Sequence, residues 1–185
     1  MIPSLSRDRA ALLVVDVQER LAAAMSEEMR GQLYRNTTLL LETARLLGLP
    51  VVVTQQYPKG LGPTVDVVAK ALPPGTHRLD KLEFSAAANP DLQALVPRLG
   101  RDQWILAGME THVCVYQTAR GMVERGYQVH VAIDAACSRT KQNWRIGQDL
   151  IGRAGAVVTS TETVVFDLLG RAGTEEFKAL SRLIK

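Results

Sequence analysis

Uninterrupted apolar blocks alternate along this chain with longer stretches whose apolar positions recur every three or four residues. Ala10-Ala-Leu-Leu-Val-Val15 is continuously apolar, the pattern of a central strand covered on both faces. From about Glu27 to Leu47 the period lengthens to that of a helix. Leu33, Leu40, Leu41, Ala44 and Leu47 mark the face that packs on the sheet, and Gly48 with Pro50 just beyond ends the element. Residues 50–54 predict the second strand, and 55–63 form a loop rich in turn formers. Residues 65–72 read as a short helix stopped by Pro73-Pro74-Gly75, and 77–79 as a weak strand. A helix over 89–99 opens with Asn89 as cap and Pro90 in its first position. Strands at 104–107, 128–133 and 156–160 then alternate with helices at about 114–125, 141–154 and 162–170, and a last helix covers roughly 174–183. Strands separated by helices in this way imply a single-domain α/β fold: an open, parallel, six-stranded Rossmann-like sheet with right-handed crossovers and helices on both faces. No internal repeat, low-complexity segment or linker divides residues 1–185.

Composition narrows the class. The chain has 185 residues, 46% of them hydrophobic and 22% charged, as in a globular domain able to bury a full sheet. Net charge is +3 with both signs interspersed, and aromatics make up 5%. There is neither a basic stripe nor a stacking platform, so no nucleic-acid partner is expected. No apolar run is long enough to span a bilayer, and the first residues lack the layout of a signal peptide, so no membrane partner is expected either. Two cysteines do not make a disulfide framework; the expected compartment is reducing, the cytoplasm.

The chemistry gathers at strand ends, where open α/β sheets keep their active residues. The run Gln103-Trp-Ile-Leu-Ala-Gly108 reads as a strand with Gly108 as the turn after it, and a helix follows from Val115. Cys114 then falls at or near a helix N-terminus. There the unpaired N–H groups and the helix dipole favour thiolate over thiol and could hold a developing oxyanion. Asp16 follows the first strand directly. Lys81 follows the weak third strand. Three residues distant in sequence can thus converge in one crevice.

Val14-Val-Asp-Val-Gln18, Lys81-Leu-Glu-Phe-Ser85 and Gly108-Met-Glu-Thr-His-Val-Cys-Val115 resemble the three signature regions of the isochorismatase-like cysteine hydrolases. Asp134-Ala-Ala-Cys-Ser-Arg139 and Thr159-Ser-Thr-Glu162 extend the resemblance from about Arg9 to Leu169. It implies Asp16 as general acid and base, Lys81 as its electrostatic and positioning partner, and Cys114 as nucleophile. It further implies a cis peptide between Met109 and Glu110, with the Glu110 and Cys114 N–H groups as the oxyanion hole. The implied reaction is acyl transfer through a Cys114 thioester, on a small amide, carbamoyl or ureido substrate. A homo-oligomer, dimer or tetramer, is implied as well, with the 55–63 loop and the late helices as interfaces.

Departures from the family pattern sharpen these expectations. Nicotinamidase-like relatives carry Asp-x-His after the second strand, where this chain has Gln55-Gln-Tyr57. Its three histidines, His77, His112 and His130, lack ligand spacing, so no catalytic metal and no cofactor are expected. The nucleophilic cysteine argues against isochorismate itself. The Gln-Tyr-Pro-Lys-Gly-Leu-Gly loop looks most like the isochorismatase-domain-containing branch. Gln18 and Phe84 by motif position, Gln56 and Tyr57 by loop position, and His112 beside the nucleophile are expected to line the substrate. Cys137 is read as structural and Trp144 as core or interface. The rival readings are a catalytically silent member acting as a binding or scaffold protein, a redox protein pairing Cys114 with Cys137, and a dinucleotide-binding protein. The last fails because Asp16-Val-Gln-Glu-Arg20 replaces the glycine-rich phosphate turn.

Overall fold

The computed structural model describes residues 3–184. The first strand, β1 (Ala10–Val15), divides its apolar run by alternation. Ala10, Leu12 and Val14 enter one core layer, and Ala11, Leu13 and Val15 the other. With β2 (Val51–Gln56), β3 (His77–Lys81), β4 (Gln103–Met109), β5 (Gln128–Cys137) and β6 (Val157–Thr159) it forms a six-stranded sheet. Every pairing is parallel, in the order β3-β2-β1-β4-β5-β6. The chain winds outward from β1 in one direction and then from β4 in the other. The crevice beyond the carboxyl ends of β1 and β4 is therefore the topological switch point.

Helices cover both faces. On one lie α2 (Glu27–Leu47), α8 (Thr161–Leu169) and α9 (Glu175–Ile184), with short α1 (Glu19–Ala23), α3 (Pro58–Leu61) and α4 (Asp66–Ala71) near the β1 and β2 ends. On the other lie α5 (Pro90–Leu99), α6 (Tyr116–Val123) and α7 (Lys141–Arg153). The signals read from sequence hold at α2, which buries Leu33, Leu40, Leu41, Ala44 and Leu47 and ends at Gly48 in the left-handed region. They hold also at α5, where the Asn89 side chain accepts from the Asp91 and Leu92 N–H groups.

Three local expectations need correction. Gly108 does not turn the chain; it lies inside β4, paired with Val15 and with Ala136. Its φ is +129°, and a Cβ there would sit 2.0 Å from the Val15 carbonyl oxygen, so glycine is required by the close approach of β1. β5 continues to Cys137 because a register shift between Leu106 and Gly108 absorbs the polar interruption at Asp134. Trp144 Nε1 donates to both the Ile133 and Ala136 carbonyls (3.1 Å each) and fixes that irregular segment. Finally, the loop expected at 55–63 is partly regular, since β2 runs through Gln56 and α3 follows.

His130, in β5, is buried, and its Nε2 has no hydrogen-bond partner among the described residues. Burial holds its pKa below the usual 6.5, partly offset by the Asp167 charge. A histidine depressed in the folded state takes up protons more readily when unfolded. Its stabilising contribution is therefore present above the unfolded pKa of about 6.5 and is lost as pH falls below it. Thermal midpoints should fall from neutral pH to about pH 5, and His130→Phe should flatten that slope. An equal slope in the variant would remove His130 from the explanation.

Candidate active site

Asp16 leaves β1 with φ +51°, a left-handed conformation that aspartate tolerates better than most residues. Its N–H donates to the Thr54 carbonyl (3.1 Å), so β2 fixes the turn. Its carboxylate is fully buried. Thr54 Oγ1 donates to Oδ1 at 2.7 Å, and Lys81 Nζ lies 2.6 Å from Oδ2. The sheet register explains the convergence: Thr54 pairs with Val15, and Lys81 with Gln56 on β2. The Lys81 ammonium also donates to Gln56 Oε1 (2.7 Å) and to the Glu83 and Phe84 carbonyls (3.0 and 3.2 Å). These three acceptors offset part of the cost of burying the ammonium.

Cys114 lies on one wide π-helical turn, Thr111–Val115, that leads into α6. The Cys114 thiol lies close enough to Asp16, Lys81 and the Glu110 backbone for each to bias its protonation. The thiolate expected from a helix start is not the resting form. Burial pushes the Cys114 pKa up to about 12, and the Asp16 charge adds to this, opposed by Lys81 and the Glu110 N–H. Desolvation outweighs the helix terminus here. Asp16 is itself raised above the usual carboxylate range, burial outweighing Lys81 and its hydrogen bonds. Ammonium and carboxylate are thus wholly enclosed beside the thiol, and Cys114 keeps 6% exposure.

The residues expected to line the substrate divide. Gln18 is fully buried and spends its amide on the chain itself: Nε2 donates to the Gln56 and Gly62 carbonyls and Oε1 accepts from the Gln56 N–H. Gln56 orients Lys81 through Oε1 and holds the Leu82 carbonyl through Nε2. Both amides brace the framework of the site. Tyr57 and Phe84 are more than half exposed. His112 is half-buried, its Nδ1 3.0 Å from the Ser138 hydroxyl. The Met109–Glu110 peptide bond is cis. Glu110's buried side chain is paired with Arg139. Sequence reading gave no role to Thr54; a hydroxyl closing an otherwise apolar strand beside the one that ends in Asp16 was its signal.

Cys137 packs in the core layer with α2, whereas Cys114 packs in the layer with α6. The sheet separates them, and both are free, which removes the reading as an intramolecular redox pair. No group of three or more His, Cys, Asp or Glu side chains among the described residues is placed to hold a metal ion. Among the described helices, none is long and apolar enough to cross a membrane.

A doubly wound sheet that buries carboxylate, ammonium and thiol at its switch point has the architecture of the isochorismatase-like cysteine hydrolases. The chain belongs to that family: the model of the Isochorismatase domain matches residues 10–163. It is 37% identical over 179 residues to the "Secreted isochorismatase effector Isc1" of Phytophthora sojae, covering 95% of this chain and 84% of that protein. It is 35% identical to "Isochorismatase domain-containing protein 1" of Danio rerio, covering 98% of this chain but 63% of that longer protein. Among solved structures it resembles one described as "MAR1 Ribonuclease" from Caenorhabditis elegans, with a TM-score of 0.91 and 34% identity over 98% of this chain and 92% of that one.

Proposed function

We propose that this chain is a metal-independent cysteine hydrolase that cleaves the C–N bond of a small amide, carbamoyl or ureido compound through a thioester on Cys114. The observation that carries this reading is a fully buried Asp16–Lys81 ion pair close enough to the Cys114 thiol for both charges to act on it. The thiol proton passes to Asp16 as sulfur attacks the carbonyl carbon, so free thiolate never has to accumulate. Oxyanion charge rests on the Glu110 and Cys114 N–H groups. When the C–N bond breaks, Asp16 returns the proton to the departing nitrogen. Water then attacks the thioester, giving one proton to Asp16, which passes it to the leaving sulfur. Burial raises the Asp16 carboxyl above its usual range, which favours its taking up the thiol proton.

In this reading the protein works in a reducing compartment, in keeping with its free cysteines, and as a homo-oligomer. A second reading comes from the name of the C. elegans relative, a ribonuclease; the interspersed charge and net +3 do not favour RNA. The deciding experiment measures ammonia or amine release from a panel of amides, carbamoyl compounds and ureas, with an RNA substrate alongside. Wild-type protein treated with a chelator should release amine at the untreated rate, Cys114→Ala should release none, and rapid acid quenching should trap acyl mass on the Cys114 peptide. Equal release from Cys114→Ala would remove the nucleophile from the mechanism. RNA cleavage without amine release would favour the second reading, and no turnover at all would favour a silent binding protein.

A further inference from the structure

We propose that Arg139 is a positioning residue for the nucleophile, acting through Glu110. Glu110 is where three parts of the site are tied together. Its carbonyl accepts from the Val113 and Val115 N–H groups (3.0 and 3.2 Å), which anchors the turn carrying Cys114. Its backbone lies close enough to the Cys114 sulfur to favour the thiolate. Its carboxylate accepts from both the backbone N–H and the Nε of Arg139, at 2.9 and 3.2 Å, while Nε lies 3.1 Å from the second oxygen. The Glu110 side chain is 9% exposed and that of Arg139 is 58% exposed, so the guanidinium reaches in from the surface to hold an inner carboxylate.

The pair does two things for the sulfur. Held at its far end, Glu110 keeps in place the carbonyl that anchors the Cys114 turn. Paired with Arg139, its carboxylate is also not left as an uncompensated buried charge at the start of that turn. The same post-strand segment makes a second tie. The Ser138 hydroxyl, fully buried, lies 3.0 Å from His112 Nδ1 in the turn that carries Cys114. Behind that turn, α7 leaves no space: a Cβ on Gly147 would lie 2.7 Å from the His112 nitrogen. With the turn backed by helix and tied at Ser138, Arg139 is the tie that holds Glu110, and with it the carbonyl on which the turn is hung.

This inference rests on the hydrolase reading only in its kinetic arm. The test compares wild type with Arg139→Ala and Arg139→Lys in two measurements besides the thermal midpoint. The first is the rate of Cys114 alkylation by acrylamide across about pH 6 to 10, followed by peptide mass. The second is kcat and KM on any amide the wild type hydrolyses. Arg139→Ala should slow alkylation at each pH, move its profile to higher pH, and lower kcat by about ten- to hundredfold with KM little changed. Arg139→Lys keeps the charge but loses the guanidinium geometry, and should recover part of both losses. An unchanged alkylation profile in Arg139→Ala overturns the proposal. A rise in KM alone also overturns it, because Arg139 would then be binding substrate. If Arg139→Ala proves too unstable to assay, Arg139→Lys decides by the same criteria. If the wild type cleaves no amide, the hydrolase reading falls, and the alkylation arm still settles the role of Arg139.

Discussion

Lys81→Met should lose both the fold's margin of stability and the reaction. The ammonium sits 2.6 Å from Asp16 with both side chains fully buried. Removing one member leaves a buried carboxylate with the Thr54 hydroxyl and the Cys114 thiol, and breaking a buried pair in this way costs about 3–5 kcal/mol. The Gln56 Oε1 and the Glu83 and Phe84 carbonyls lose a donor at the same time. Asp16 is already raised by burial, with Lys81 the main opposing influence; without it the carboxyl should retain its proton far closer to neutral pH and no longer accept one from Cys114. A group whose folded pKa lies above its unfolded value stabilises the fold most at low pH and loses that contribution as pH rises through the folded pKa. Denaturant midpoints of Lys81→Met should therefore improve on acidification, and the double variant with Asp16→Asn should recover much of the loss at neutral pH. A Lys81→Met protein with wild-type midpoint and turnover would show that the pair carries neither stability nor catalysis.

Gly108→Ala should fail more completely. The added Cβ would meet the Val15 carbonyl oxygen at 2.0 Å, its carbon at 2.7 Å and the Val15 nitrogen at 2.8 Å. All three are backbone atoms of the central strand and cannot rotate away. The φ of +129° adds a conformation that alanine rarely adopts. The two strands must part just before Asp16, and we expect a loss above about 4 kcal/mol, seen as little soluble protein or a collapsed urea midpoint. Gly48→Ala is the control: it also has positive φ, +70°, but nothing lies within 4 Å of its Cβ. Strain alone should cost about 1–2 kcal/mol there. Equal effects from the two variants would mean that backbone strain, and not the approach of β1, is what Gly108 relieves.

This contrast marks how far the sequence could be read. The ordered α/β elements followed from apolar periodicity and end signals, and α2 from Glu27 to Leu47 was legible to its last residue because period and terminal glycine agree. Gly108 was misplaced because its reason is a contact with Val15, 93 positions earlier, for which periodicity has no mark. The position of Asp16 could be read from where an apolar run stops; Lys81, expected just past a weak strand, is instead the last residue of that strand, and the fold brings both close to Cys114. What each neighbour does could not. Gln18 and Gln56 sit where lining residues would, yet their amides are consumed by Gly62, Leu82 and Lys81. The protonation of Cys114 depends on how much water is excluded around it, a sum over the whole site that no local motif encodes.

The depth of the Asp16–Lys81 pair has a consequence for how such a site changes over time. Both groups are sealed from solvent and bonded to residues of the strand ends. Tyr57, Leu82 and Phe84 are exposed, and none bonds to the pair through its side chain. Substitutions among these exposed side chains can accumulate without disturbing the buried pair, so the surface can drift while the interior stays fixed.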